Sequence, residues 1–508
     1  LAQMPGLDDS LEYRTVRGDF AALAALARYH AAKSRATGNL ALFYASGERR
    51  YLDAAEAEAE AGIALWDELC ARTESYYPKL HLGPTGGHWR DNKPRVEYDL
   101  RRIRRVRELF DSHGLFCQGF DFGPRWVHRL PPRAQTGLEP EPRFTAVDEE
   151  TSYSPEQGYG WLRTAGIRSV GLGQITQDIL WGVHQIKPGV EYDPAAVQRV
   201  PLDGLTQRYL MGDQPRTFRI DLDDGEYEVT LIAPAVAGLT TCAHIAGATV
   251  ELGGASATAA RMNVTASGGA VEVTLSDKGP WALAGLIVRP RSPEIAHLPS
   301  IGLRAEQDAT ITTTATAPGG VQAMRLRYRA GGAWREVAMV GDGVAFQAVV
   351  QASELAVDTL EYEPIAQSAD GQTTRRTFVV PIVRGFQAPK ITAASGPKTW
   401  TSGEKVSFRL TLENGAYARE LRLHYREADQ NRNFRVATLP GGRSGEYEFN
   451  VDPRHLDDAY ELLYYFEVVD VLGGAFYPNP FEQARYFISW PDNCEAGDPA
   501  AASAGGIA

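Results

Sequence analysis

The sequence predicts a multidomain, mainly β protein: an N-terminal α-helical segment, one jelly-roll-type β-sandwich, and two immunoglobulin-like β-sandwiches. Three observations carry this reading. Apolar residues recur at helical spacing only as far as about residue 115. From Phe116 onward the chain turns to short alternating runs broken by Gly, Pro, Asp and Asn. Two stretches near the C-terminal end resemble each other. A chain of 508 residues is long enough for about three to five domains.

Residues 1–115 read as helix and as the end of a larger domain. Phe20, Leu23, Leu26 and Ala27 follow Asp19, a good N-cap, and a Ser46-Gly47 turn separates this helix from a second one rich in Ala and Glu. Pro94 suits the first turn of a third helix, with Val96, Leu100, Ile103, Val106 and Phe110 on one face and Gly114 at its end. The arginines at 101, 102, 104, 105 and 107 cover its other side, and read as a solvated face beside the acidic second helix.

Residues 118–290 read as one sandwich. Its clear strands are Thr217–Leu222, Glu226–Ala233, Ala248–Leu252, Ala270–Ser276 and Leu283–Val288, with Asp223-Asp224-Gly225 as a hairpin turn. Residues 300–386 and 388–490 form the repeat. Met324–Arg329 parallels Leu421–Arg426, Leu360–Glu363 parallels Leu463–Phe466, and Trp334 falls where Phe434 does. Such self-similarity in short strands indicates tandem immunoglobulin-like or fibronectin-like sandwiches. Residues 491–508, rich in Gly, Ala and Ser, read as a disordered tail.

Composition narrows the function. The net charge of −12 argues against nucleic acid as a partner. No stretch approaches about 18 uninterrupted apolar residues, so no membrane-spanning helix is predicted. The four cysteines, Cys70, Cys117, Cys242 and Cys494, lack metal-ligand spacing, and no metal or cofactor is expected. Cys70 and Cys117 flank one helical region and could pair or remain separate thiols. The signatures G-x-S-x-G, H-E-x-x-H, the phosphate loop and the dinucleotide fingerprint are absent from the sequence.

Two places could carry chemistry. The loop Gly86-Gly87-His88-Trp89-Arg90-Asp91 offers His88, Arg90 and Asp91 as a weak catalytic set: a general base, a cation and a carboxylate clamp. The bland alternative is a structural loop with Trp89 buried and Arg90 and Asp91 capping the third helix. The turn Tyr153–Trp161 offers Tyr159 and Trp161 as stacking faces for a sugar, with Glu156 and Gln157 as hydrogen-bonding neighbours. Its alternative is that the rings plug the end of the sandwich.

Phe120-Asp121-Phe122-Gly123, followed by Tyr153-Ser154-Pro155-Glu156-Gln157-Gly158-Tyr159-Gly160-Trp161, resembles the opening of galactose-binding-like modules of pectin-active and related polysaccharide enzymes. The resemblance covers about a third of the chain, and the stretches Pro124–Arg143 and Gly166–Gln214 depart from it. It implies the C-terminal, carbohydrate-binding region of an extracellular glycoside hydrolase or polysaccharide lyase, acting on a polysaccharide or oligosaccharide. The alternative is a non-enzymatic cell-surface adhesion or structural protein. A third reading makes the helical segment itself catalytic through His88.

Overall fold

A computed structural model describes residues 11–74, 89–116, 118–124, 143–170, 208–275, 279–429, 432–452, 454, 456–479 and 486–492. The expected helical hairpin is present, as α1 (Leu11–Ser46) and α2 (Arg49–Thr73). Gly47 turns the chain with φ 73° and donates its N–H to Phe43 O at 2.7 Å. Two expectations for α1 fail. Asp19 lies inside the helix rather than at its cap. The packed face consists of Ala25, Tyr29, Ala32, Ala36 and Phe43, whereas Phe20 and Leu23 are 64% and 60% exposed. The long run of α1 carries two apolar stripes, and α2 takes the small-residue one, which permits a closer approach.

The third helix, α3 (Lys93–His113), carries Pro in its first turn and ends at Gly114, φ 63°. Its expected apolar face is the buried one. Its arginines meet the acidic side of α2: Arg104 contacts Glu56 at 3.0 Å and Glu60 at 2.6 Å, and Arg107 contacts Asp53 at 2.5 Å and Glu56 at 2.8 Å. Exposed bridges of this kind contribute little each, so the apolar face holds the helix.

The first sandwich opposes two five-stranded sheets. One runs Thr258–Ala266, Gly225–Ala233, Gly285–Pro290, Gln118–Phe122, Thr145–Val147. The other runs Tyr159–Trp161, Arg216–Asp221, Ala270–Leu275, Val236–Ile245, Ala248–Gly254. A third, short sheet joins Trp281–Leu283, Tyr209–Gly212 and Ile167–Val170. Pairing is antiparallel except between Gln118–Phe122 and Thr145–Val147, which run parallel. The Asp223-Asp224-Gly225 turn is not a hairpin. Arg216–Asp221 pairs with Ala270–Leu275 in one sheet, while Gly225–Ala233 pairs with Thr258–Ala266 in the other. The turn is a corner between sheets, and Asp224 Oδ1 fixes it by accepting the Gly269 N–H at 2.9 Å. The two-residue hairpin lies at Ala246-Gly247, both at positive φ, between Val236–Ile245 and Ala248–Gly254.

Two immunoglobulin-like sandwiches follow, with equivalent strand orders. In the first, Leu303–Arg304, Phe378–Val383, Thr359–Ser368, Val321–Arg329 and Arg335–Ala338 form one sheet. In the second, Thr399–Trp400, Phe487–Pro491, Leu462–Asp470, Ala418–Glu427 and Arg435–Pro440 do so. In both, the second strand pairs in parallel with the closing one, Leu303 with Ile382 and Thr399 with Trp490, while the opening strands, Glu294–Ala296 and Lys390–Ser395, pair antiparallel in the other sheet. The expected alignment of the copies is right at Tyr328 and Tyr425, and at Trp334 and Phe434, and slips by one residue elsewhere. Tyr328 faces Tyr362, and Tyr425 faces Tyr464, so Tyr362 corresponds to Tyr464 and not to Tyr465. One residue of slip moves a strand residue to the opposite face.

The helices sit on the first immunoglobulin-like sandwich. Phe43, Leu52, Ile103, Val106, Phe110 and Leu115 share a core with Ala296. Hydrogen bonds stitch the seam: Arg49 N–H to Thr314 Oγ1 and Leu115 N–H to Thr316 Oγ1, both 2.9 Å. Cys70 is a buried free thiol, and Cys117 lies outside the described residues.

Candidate functional site

The catalytic set proposed from sequence is not assembled by the described residues. His88 lies outside them. Residues Trp89–Asn92 form one 3-10 turn ahead of α3. Trp89 packs edge-on against Trp66 with ring centroids 5.6 Å apart, and its carbonyl accepts the Trp66 indole N–H at 3.1 Å. Arg90 and Asp91 are both exposed, and Arg90 reaches back to Glu74 at the end of α2. Asn92, the N-cap of α3, makes no side-chain capping hydrogen bond.

The turn at 151–161 divides the four proposed carbohydrate ligands. Glu156 and Gln157 are exposed, and Gln157 Nε2 donates to Tyr159 O at 3.0 Å. Tyr159 is half-buried against Phe120, ring centroids 5.2 Å apart, and burial raises its phenol pKa. Trp161 is only 1% exposed. Its ring stacks on Trp281 at 5.4 Å and abuts Phe218 at 5.1 Å, in the centre of the first core. The face expected to meet a sugar is taken by another tryptophan. Trp161 follows a strand pairing Tyr159 with Ile220 and Trp161 with Phe218, and that register turns the indole inward. Gly160 makes the tight approach possible, since a Cβ there would lie 2.5 Å from Tyr153 N.

The Phe120-Asp121-Phe122-Gly123 motif serves the same core. Both phenylalanines are buried within it. Asp121 is fully buried and receives the guanidinium of Arg208, itself 1% exposed, with Nε 3.1 Å from Oδ1. Gly123 clears space for that arginine, because a Cβ would lie 2.8 Å from Arg208 Cδ. A buried charge needs its partner and its hydrogen bonds, which explains why an acid stands between two core aromatics.

Sequence reasoning missed the outer face of the last sandwich. Along Leu462–Asp470 alternate residues are buried, so Tyr464 joins the core and Tyr465 points outward. Tyr465 becomes the hub of a ring cluster. His424 stacks on it at 4.5 Å and 3° interplanar angle, with Phe434 at 5.2 Å, Phe476 at 5.8 Å and Tyr486 at 5.9 Å. Glu467 Oε2 lies 2.7 Å from His424 Nε2, and Arg426 sits over the Phe434 ring at 4.9 Å. The signal was present: two adjacent tyrosines in one strand must face opposite sides.

Two polar clusters lie under the helices. In one, His297 Nδ1 donates to Thr312 O at 2.6 Å and Nε2 accepts the Tyr362 hydroxyl at 2.7 Å. Glu48, 2% exposed, faces the same imidazole at 3.8 Å. Burial lowers the His297 pKa and raises that of Glu48. In the other, His113, Glu228, Arg289 and Glu294 each bury a polar atom without a hydrogen-bond partner. Burial, opposed by Arg289 and Arg143, pushes the Glu294 carboxyl up to about 7. Burial and nearby arginines push His113 down to about 4. Among the described residues no three His, Cys, Asp or Glu side chains converge as metal ligands, and no helix is long and apolar enough to cross a membrane.

No family model matches the chain, and no curated protein matches it. Among solved structures it is similar to the FN1–FN3 domains of chicken CNTN1, at 10% identity over 55% of this chain and 95% of that one, TM-score 0.23. It is also similar to the N-terminal Ig1-2 module of the Drosophila receptor protein tyrosine phosphatase DLAR, at 13% identity over 39% and 98%, TM-score 0.17. A third similarity is to a Ca2+-stabilized adhesin that helps an Antarctic bacterium bind ice, at 12% identity over 56% and 69%, TM-score 0.17. Likeness this loose says nothing of function.

Proposed function

We propose that this chain is a non-enzymatic adhesion or structural protein of the extracellular or cell-surface kind, built to carry load through successive β-sandwiches. The observation that supports this is the parallel pairing of the second and closing strands in both immunoglobulin-like sandwiches. Once the short opening strand yields, tension applied to the two ends of such a module pulls these neighbouring parallel strands in opposite directions. Their hydrogen bonds are then loaded together, not one after another as in a peeling hairpin. The hydrogen-bonded seam between helices and sandwich supports the same reading.

Single-molecule pulling on the full chain tests it. Two distinct force peaks are expected, one per module, each well above the force that unzips a hairpin. Low-force unfolding without peaks would overturn the load-bearing role.

A second reading, the accessory region of a polysaccharide-active enzyme, is favoured by one observation. Val16, Phe20 and Leu23 form an exposed apolar stripe on α1, of the kind a larger helical domain covers. Its test is turnover of polysaccharides by the chain and by any longer form.

A further inference from the structure

We propose that the joint between the two immunoglobulin-like sandwiches is a latch that holds them at one fixed angle, with Phe386 as its bolt. The latch concerns the angle between the modules at rest, independent of the load-bearing reading, and its test applies no force.

The first module ends with Phe378–Val383 and the second begins with Lys390–Ser395, which leaves six residues, 384–389, between them. Fully extended, such a link reaches about 20 Å, enough for the modules to swing. Its sequence, Arg-Gly-Phe-Gln-Ala-Pro, has a single proline and a glycine at φ 59°, and supplies little stiffness of its own. Side chains from both modules hold it instead. From the first, Glu306 Oε1 accepts the Gly385 N–H at 2.8 Å. From the second, the Tyr417 hydroxyl donates to Arg384 O at 3.0 Å and Gly385 O at 3.1 Å, and Asn414 Nδ2 donates to Ala388 O at 3.3 Å. Phe386 is gripped from both sides. Arg304 of the first module lies over its ring at 4.9 Å, and the Tyr417 ring of the second meets it edge-on with centroids 5.2 Å apart.

A single point of attachment still permits pivoting. A second contact lies away from the link. Gly302 of the first module sits so close to Val471 and Leu472 of the second that a Cβ there would lie 2.7 Å from Leu472 Cδ2 and 2.9 Å from Val471 O. Asp470 fixes that turn by accepting the Leu472 N–H on Oδ1 at 2.7 Å. Contact at two separate places opposes the swing that the link alone would allow.

Comparison of the two copies shows that the latch is not part of the common framework. Tyr417 closes the 3-10 turn Gly415–Tyr417, which joins Val406–Glu413 to Ala418–Glu427. That turn requires Asn414 in the left-handed region, φ 55°, and a glycine at 415, where a Cβ would run into Arg443 O. The equivalent connection of the first module, Ala317-Pro318-Gly319-Gly320, carries no aromatic residue and forms no 3-10 turn. The sandwich therefore stands without Tyr417, and the joint accounts for the strained turn that presents it.

The test is a pair of measurements on the full chain. Spin labels carried by unnatural amino acids at the exposed positions 340 and 436, one in each module, should give one narrow distance distribution. Trypsin should cut slowly after Arg384, which is exposed but whose carbonyl and following N–H are both engaged. Phe386→Ser should broaden the distribution and speed that cut by about tenfold, the scale of a lost ring contact and the hydrogen bonds beside it. Tyr417→Phe, which keeps the ring and removes the hydroxyl, should act in the same direction to a smaller extent. Both variants should melt as the parent does, since neither residue lies in a sandwich core. The proposal is overturned if the parent's distribution is already broad, or if neither variant changes the distances and the cleavage rate.

Discussion

Replacing Glu294 by Gln should stabilise the protein at alkaline pH and not at acid pH. Glu294 opens the first strand of the first immunoglobulin-like sandwich, and its Oε2 is buried without a hydrogen bond. Arg289 and Arg143 favour the ionised carboxylate, but burial outweighs them and lifts the pKa from 4.5 to about 7. The folded protein therefore holds this proton more tightly than the unfolded chain does. Stability from the group is fully present below pH 4.5 and is lost as pH rises through 7. At 1.36 kcal/mol per pH unit, the interval sets a ceiling of about 3 kcal/mol, and partial hydration lowers it to about 1–2 kcal/mol. Gln keeps the shape and removes the charge. At pH 8 the melting transition of Glu294→Gln should lie above the parent's by about 2–8 °C, and at about pH 4, below the unfolded-state value, the two should coincide. Differential scanning calorimetry at both values decides it. A lower transition for the variant at pH 8 would show that the two arginines need the carboxylate more than burial penalises it.

His113 should act on the acid side. With its pKa held near 4 against an ordinary 6.5, it costs stability as pH falls from 6.5 to 4, and His113→Gln should flatten that limb of the melting curve. Asp121→Ala, which strands the Arg208 charge in the core, should cost about 3–5 kcal/mol by denaturant unfolding, while Asp121→Leu combined with Arg208→Met should recover most of it. Trp161→Ala should cost about 3–5 kcal/mol, and an unchanged transition would mean that the indole is not packed as described.

The parts of the fold visible in the sequence were those written in period and composition. The helical segment, the acidic partner of the arginine-rich helix and the matched positions of Trp334 and Phe434 all rest on local pattern. The failures share a cause. Asp223-Asp224-Gly225 has hairpin chemistry, yet which sheet a strand joins is decided by distant partners. Phe20 and Leu23 have helical spacing, but the helix offers two stripes and α2 chooses between them. Trp161, read as a stacking face for a sugar, lies in a core, and Tyr465, matched by sequence to the buried Tyr362, faces outward. For both, one position of strand register separates the two faces, and register is a long-range property.

The short sheet of the first sandwich has a practical consequence. Val170 and Tyr209 are register partners on adjacent antiparallel strands, so the described chain on either side of 171–207 is held at one point. The core addresses what returns there through Arg208, which seals the Asp121 site. Loop-closure cost changes by only about 0.6 kcal/mol per doubling of length. The two strand ends are thus a natural place to join the chain. A short turn, a fluorescent reporter or a whole foreign domain could be spliced in at 171–207, and the sandwich should tolerate each one that hands the chain back at Arg208.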